Sequence, residues 1–384
     1  MNSAILDRMT RLKLTNHYEE WTKAKKIIEV TFEITPKCNL DCVHCYMCNL
    51  KETREQLSYE QVIHILDILY DNGILFLTFS GGEPFLRKDF KDIYIYAKKK
   101  GFLIDIFSNG TMIDEEWIKI LNEYPPLLID LSIYGASNET YEKVTGRKGA
   151  FDKFMNTLEL LKTANIRFSI KAPILTLNYN ELEAMRSISE QYSKENFRFS
   201  YDVVPDRNNS LLPRRYELDP LNAVLLEIDD SFNVEALSQV GQEQNDWQRV
   251  KDKYGFMPVY FCSIGSLSAH IDYSGNVSAC IECVEKHNIF DKDFESICTL
   301  FCRYKNIEAN KDFRCIGCEA IGFCSSCPQV RKRQYGDEQI VTDYDCMVAK
   351  LKYKYYVENY SIDELKGYYK NLTKEVHNSE ISKT

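Results

Sequence analysis

No run of eighteen apolar residues occurs anywhere in the 384-residue chain, which argues against a helical membrane span. Met1 to Lys26 is charged and mixed, without the apolar core of an export signal, so the chain is expected to stay in the cytoplasm. Basic charge is in the minority. Lys and Arg number 48 against 57 Asp and Glu, a net charge of −9. The short cluster Arg331-Lys332-Arg333 is a solvated face rather than a nucleic-acid footprint. Neither a membrane nor a nucleic-acid partner is expected. No internal repeat is found beyond an alternation of strand-like and helix-like segments. Cysteine, by contrast, is abundant, with fourteen residues. In a reducing compartment these are not expected to be disulfides. They fall into two groups with short spacings, which points to metal ligation.

The chain is long enough for a barrel plus a smaller domain, and 44% hydrophobic residues supply an ordinary core. A β-like run, Ile27 to Ile34, comes first. Ile74 to Phe79 follows a helical pattern over Ser58 to Asp71, where Val62, Ile65, Leu66 and Leu69 share a face and Ser58 is placed as N-cap. Phe102 to Phe107 follows a Lys-ended helix closed by Gly101. Leu127 to Ile133, Ile166 to Lys171 and Phe197 to Val203 complete six strands. Helical patterns at Glu115 to Asn122, Phe151 to Ala164 and Tyr179 to Tyr192 separate them. Such repeats imply parallel strands with right-handed crossovers, in a barrel that closes or stops short of closure. The expected fold is α/β, with 1–26 an N-terminal segment, 27–205 the barrel, 206–260 a bridge lining the substrate entrance, 261–347 a cysteine-rich domain, and 348–384 a helix and tail. The terminal helix is read over Ala349 to Tyr369, with fraying from Glu375.

Cys38, Cys42 and Cys45 follow the first strand in the spacing C-x3-C-x2-C. Three closely spaced thiolates can hold three corners of a cubane iron–sulfur cluster and leave the fourth iron open for a ligand. Zinc is the competing occupant, since Cys48 could close a four-thiolate shell. The loop resembles that of the radical S-adenosylmethionine (SAM) enzymes. The resemblance implies an open six-unit (β/α) partial barrel whose cluster binds S-adenosylmethionine (AdoMet). The implied chemistry is one-electron cleavage of AdoMet to methionine and a 5′-deoxyadenosyl radical, which abstracts a hydrogen atom.

Further motifs stand at the strand ends, the face where parallel α/β folds bind ligands. Ser80-Gly81-Gly82-Glu83-Pro84 follows the second strand. Its glycines allow close backbone approach, and it resembles the family's methionine-amino segment. Ser108 and Asn109 follow the third strand, as candidates for the ribose or carboxylate. Ser132 ends the fourth strand. Lys171 ends the fifth, where a cation could pair with the methionine carboxylate. Tyr46 matches an aromatic position near the adenine in the family. Each residue also has an ordinary reading as a cap, turn or solvated charge. No catalytic acid, base or hydrogen donor is identified.

Toward the C-terminus come Cys262, Gly275-x4-Cys280, then Cys315, Cys318, Cys324 and Cys327 as C-x2-C-x5-C-x2-C, and Cys346. One structural zinc would satisfy the two close pairs. The set resembles the SPASM extension of radical SAM enzymes, with a departure: the family usually spaces its last close pair by three residues. That resemblance implies two auxiliary 4Fe-4S clusters, three in all. Cys315, Cys318, Cys324 and Cys346 would hold the outer one, and Cys262, Cys280 and Cys327 the inner. The inner cluster's fourth position is open or falls to Cys283, with Cys298 and Cys302 also spare. Buried free cysteine competes at these positions and at Cys48, as does a role as hydrogen donor to a substrate radical.

Enzymes with this layout mostly modify peptides or proteins. Tyr134-Gly135-Ala136-Ser137, Thr140-Tyr141, Val144-Thr145-Gly146 and the segment Tyr201 to Leu218 resemble peptide-maturing members. The expected substrate is a ribosomally made peptide, gaining a crosslink, thioether or epimerised residue. Sulfatase maturation is the nearest alternative and calls for a catalytic carboxylate in the barrel. Tetrapyrrole or quinone-cofactor synthesis is the next, and a metal-bearing scaffold the non-enzymatic one. Only twenty-six residues precede the first strand, fewer than a winged-helix leader-recognition domain needs. A separate leader-binding protein is a possible partner, and ferredoxin or flavodoxin the expected electron donor.

Overall fold

A computed structural model of the chain describes residues 26–47, 56–228, 255–262 and 264–381, with His17, Glu20, Trp21 and Ala24 before them. Cys48 and much of the second half of the bridge lie outside the described residues. Two compact units are formed: Met1–Glu217 with Cys262–Lys305, and Leu218–Phe261 with Asn306–Thr384. The region read from sequence as one cysteine-rich domain is therefore divided between them.

The first unit is built on strands β1 (Glu29–Glu33), β2 (Phe76–Ser80), β3 (Leu103–Ser108), β4 (Leu128–Ser132), β5 (Phe168–Pro173) and β6 (Arg198–Ser200). They lie in that spatial order, each parallel to the next. β2 is buried at all five positions, as a strand covered on both faces must be. The helices between them are α1 (Tyr59–Asp71), α2 (Phe90–Lys100), α3 (Glu115–Glu123), α4 (Asn138–Thr145), α5 (Ala150–Thr163) and α6 (Leu182–Tyr192). Local chemistry sets their ends. Ser58 and Gln61 form a reciprocal capping box at α1. Gly101 takes the left-handed conformation that stops α2.

Sequence periodicity stops at six strands, but the sheet does not. β7 (Ser268–Ile271) returns after the bridge and adds parallel to β1. β8 (Asn276–Ser278) and β9 (His287–Asn288) continue antiparallel, giving nine strands in the order β6-β5-β4-β3-β2-β1-β7-β8-β9. The sheet remains open, as expected of a partial barrel. Gly275 holds a positive φ of 85° in the β7–β8 turn, where Asp272 accepts from the backbone of Ser274 and Asn276. The G-x4-C spacing is thus a hairpin that delivers Cys280 just past β8.

In the second unit, α7 (Pro220–Ile228) packs on α10 (Asp343–Tyr356), joined by a short Lys352–Glu227 ion pair of 2.6 Å. α9 (Pro328–Tyr335) starts immediately after Cys327. The terminal helix expected over Ala349 to Tyr369 is in fact two, α10 and α11 (Ile362–Ile381). Asn359 at φ 59° breaks the run, and Ser361 bonds back to Glu364 to start the next helix. α11 continues as backbone through Ile381, past the expected fraying point.

Candidate cofactor and metal sites

One cavity of about 530 Å³ opens at the C-terminal ends of the parallel strands. Cys38, Cys42, Cys45, Tyr46, Gly81, Gly82, Ser108, Asn109, Ser132 and Lys171 all line it. The three cysteines leave β1 in an irregular loop whose backbone turns on Cys45 N–H to the Cys42 carbonyl. Two of the sulfurs accept hydrogen bonds, Cys38 from Leu40 N at 3.4 Å and Asn109 Nδ2 at 3.7 Å, and Cys45 from Met47 N at 3.4 Å. Donors aimed at sulfur suit thiolates that carry cluster charge. The donor set therefore fits an iron–sulfur cluster.

The glycine pair works mainly on protein. A Cβ on Gly81 would overlap the Thr35 carbonyl oxygen, and one on Gly82 that of Lys37. Gly82 N and Glu83 N donate to these same carbonyls, each at 2.8 Å. The two glycines thus let the β2 turn lie directly on the segment leading into the cysteine loop. Glu83 and Pro84 stand behind this wall. The buried Glu83 carboxylate accepts from Ser108 Oγ at 2.9 Å, Asn109 N at 2.8 Å and Phe85 N at 3.2 Å. Burial pushes its pKa up to about 7. Glu83 thereby fixes the turn after β3, while Asn109 also donates to Asn39 in the cysteine loop.

Lys171 donates to Asp130 Oδ2 at 2.9 Å, and its ammonium stands 3.5 Å from the Phe107 ring centroid. Tyr46 donates its hydroxyl to Glu33 Oε1 at 3.0 Å. Several lining or supporting residues were not singled out by sequence. His44, just before Cys45, lines the cavity with its Nδ1 shielded from water, and burial lowers its pKa to about 4. Its place inside the cysteine loop was the available signal, and the loop's aromatic role was assigned to Tyr46 instead. Arg198, opening β6, also lines the cavity. Glu33 is fully buried and forms a two-pronged pair with Arg207, both contacts 2.7 Å. His270 Nε2 lies 3.4 Å from it. Burial alone would raise the Glu33 carboxyl, but His270 and the Arg207 guanidinium outweigh burial and hold it well below the usual carboxylate range.

Cys315, Cys318, Cys324 and Cys346 belong to the second unit, and neighbouring thiols of this group help to raise the pKa of Cys315, Cys324 and Cys346. Burial is the larger cause, pushing Cys315 up to about 12 and Cys324 to about 11. Cys318 and Cys324 pack on an apolar cluster of Ala320, Phe323 and Ala349. Among the described residues no three metal-ligating side chains stand in single-ion geometry. Four thiols gathered in one unit can ligate a cubane cluster. Cys262 and Cys280 lie in the first unit and Cys327 in the second. Cys283 donates to the Tyr304 hydroxyl at 3.4 Å, and Cys302 to the Cys298 carbonyl at 3.8 Å, one helical turn back.

Residues 32–188 match the family model of the Radical SAM superfamily. Fe-coproporphyrin III synthase of Methanosarcina barkeri is 32% identical over 208 residues, covering 54% of this chain and 52% of that protein. The sporulation killing factor maturation protein SkfB of Bacillus subtilis is 28% identical over 259 residues, covering 66% and 60%. The chain thus matches little more than half the length of these curated relatives. Among solved structures, Streptococcus suis SuiB bound to S-adenosylmethionine superposes with a TM-score of 0.65 at 16% identity, over 87% of this chain and 81% of that one. The likeness in fold covers enough of this chain to extend into the C-terminal cysteine-rich region. No helix among the described residues is long and apolar enough to cross a membrane. The cysteine loop, the turns after β2 and β3 and strands β2 to β5 all lie within residues 32–188, and this part of the chain is a radical SAM domain.

Proposed function

We propose that the chain is a radical SAM/SPASM enzyme that binds AdoMet at the cysteine loop and modifies a peptide made by the ribosome. The observation that carries this reading is one cavity shared by three cysteines, the glycine turn, the hydroxyls of Ser108 and Ser132 and the Lys171 ammonium. Cys38, Cys42 and Cys45 would hold the AdoMet-binding cluster, and Cys315, Cys318, Cys324 and Cys346 an auxiliary one, in a set of three 4Fe-4S clusters. When bound, the reduced cluster and AdoMet supply a carbon radical that removes a hydrogen atom from the substrate. The chain's part is placement. Glu83 and Asn109 lock the β3 turn to the cysteine loop. Neutral His44 and the rings of Phe107 and Tyr134 give the cavity apolar walls that exclude water.

Pockets of about 300–1,000 Å³ hold one drug-sized ligand, and AdoMet is of that size. SkfB, a maturation protein by name, is similar over 66% of this chain, which favours a peptide substrate. Fe-coproporphyrin III synthase, similar over 54% of it, favours a tetrapyrrole instead. Sulfatase maturation would need a carboxylate there, and none of the described lining residues is Asp or Glu.

The test is anaerobic reconstitution with iron and sulfide counted, then dithionite and AdoMet, with deoxyadenosine read by mass spectrometry. About twelve irons per chain and deoxyadenosine formation are expected. Bound zinc without deoxyadenosine, in folded protein, overturns the reading.

A further inference from the structure

The described cavity wall carries two permanent cations, Lys171 and Arg198, and no carboxylate. Both reach back to one buried acid. Asp130 Oδ2 accepts from Lys171 at 2.9 Å, and Oδ1 accepts from Arg198 Nη2 at 2.8 Å and from Ser169 Oγ at 2.8 Å. One carboxylate against two cations leaves the β5–β6 side of the wall with one positive charge in excess. Such a charge is favourable only if water or an incoming anion meets it.

Arg198 is the half of this pair with capacity left. Its side chain is 48% exposed, and only Nη2 is engaged among the described residues, with Asp130 and Ser169. Nε and Nη1 remain as donors able to bond an incoming oxygen. Asp130 and Ser169 hold the guanidinium from behind, so little rotamer entropy is lost when those donors are used.

Lys171 and Arg198 are register partners on neighbouring strands, and Arg198 is the outer of the two, on the edge strand β6. The cysteine loop and glycine turn follow β1 and β2, whereas Arg198 is on β6, five strands from β1. At about 4.8 Å per strand that is roughly 24 Å along the sheet. Lys171 is one strand nearer, and its ammonium leans over Phe107 of β3. An anion of the cofactor, lying by β1 and β2, meets Lys171 first. An anion at Arg198 belongs to whatever enters beyond it.

We propose that Arg198 is a substrate-recognition residue that binds a carboxylate of the peptide substrate, with Asp130 as the residue that positions it. This rests on the peptide reading above. The carboxylate is an acidic side chain or the peptide's C-terminus.

The test is affinity selection on reconstituted enzyme with AdoMet, using two random hexapeptide libraries that differ only in a fixed central Glu or Gln. Each is made with free and with amidated C-termini. Wild-type enzyme should retain carboxylate-bearing over neutral peptides by about tenfold or more, as a charged hydrogen-bonded pair allows. A preference for Glu that survives amidation assigns a side chain. A preference for the free terminus alone assigns the C-terminus. Arg198→Gln should abolish the preference, Arg198→Lys should keep part of it, and AdoMet affinity should hold in both. Peptide retention with no carboxylate preference in the wild type overturns the inference and leaves the peptide reading standing. A preference that persists in Arg198→Gln, or loss of AdoMet affinity in that variant, also overturns it. No retention of any peptide by the wild type overturns both.

Discussion

The two cysteine groups of this chain are built on opposite plans. Cys38, Cys42 and Cys45 stand on a loop at the ends of parallel strands, facing a cavity, with backbone N–H groups aimed at two of the sulfurs. Cys315, Cys318, Cys324 and Cys346 are held by turns and by α10, against a small apolar cluster, with burial pushing the thiols up. The first arrangement leaves space for a ligand at the metal. The second sets its cysteines among turns, with one short 3-10 turn at Ile321–Phe323 as the regular structure between Phe313 and Cys327. A scaffold that exists without the metal suits reaction chemistry, and a scaffold that needs the metal suits electron transfer or structure.

Paired substitutions sharpen that contrast most. Cys42→Ala should abolish deoxyadenosine formation, with loss of about four of about twelve irons. The sheet beneath should remain folded by circular dichroism, because its core is apolar packing. Cys324→Ala should lose a similar amount of iron but keep AdoMet cleavage. Hydrogen exchange should then rise across residues 313–327, where metal ligation supports the turns. Equal loss of cleavage in both variants would break the distinction.

A second effect lies in the frame that carries the first loop. Glu33→Gln removes the anion from a fully buried pair and leaves Arg207 charged, which should cost about 3–5 kcal/mol. The pH dependence has a definite sign. The Glu33 carboxyl is held below its ordinary value of 4.5, so its contribution is present above that value and is lost as pH falls through the folded-state pKa. Wild-type stability should therefore fall as pH drops below about 4.5, and the Gln variant should lack that part of the acid limb, as thermal unfolding at stepped pH would show.

This frame was largely invisible in the sequence, for a physical reason. Six strands and their helices are written in local periodicity, and Ser58 and Gly101 mark ends by short-range chemistry. Close cysteine spacing and glycine after a strand are likewise local, so the residues named from them do line one cavity. Glu33 and Arg207 are 174 residues apart, and Arg198 and Asp130 are 68 apart. A lone charge in a sequence carries no sign of its partner, so these looked like solvated residues. β7 is four residues long, too short for its Ser-Ala-His-Ile alternation to mark a strand, and only pairing with β1 makes it one. The break between α10 and α11 turns on one Asn in a left-handed conformation inside a long charged run.

The spare cysteines give the smallest expected effect. Cys302 stands in the turn after α8 (Phe294–Phe301), and its thiol bonds the carbonyl of Cys298 in that helix. A thiol spent on a backbone carbonyl is a helix-end partner, which a serine hydroxyl can replace with a shorter, stronger hydrogen bond. Cys302→Ser should leave iron content unchanged and keep deoxyadenosine formation within about twofold, since surface-proximal substitutions of this kind stay within about 0.5 kcal/mol. The measurement separates two kinds of cysteine in one chain. A fall of several irons would move Cys302 into the metal-binding set and blur the line between ligand and spare cysteines. Unchanged iron with lost substrate turnover, in protein that still cleaves AdoMet, would instead mark Cys302 as a hydrogen donor to the substrate.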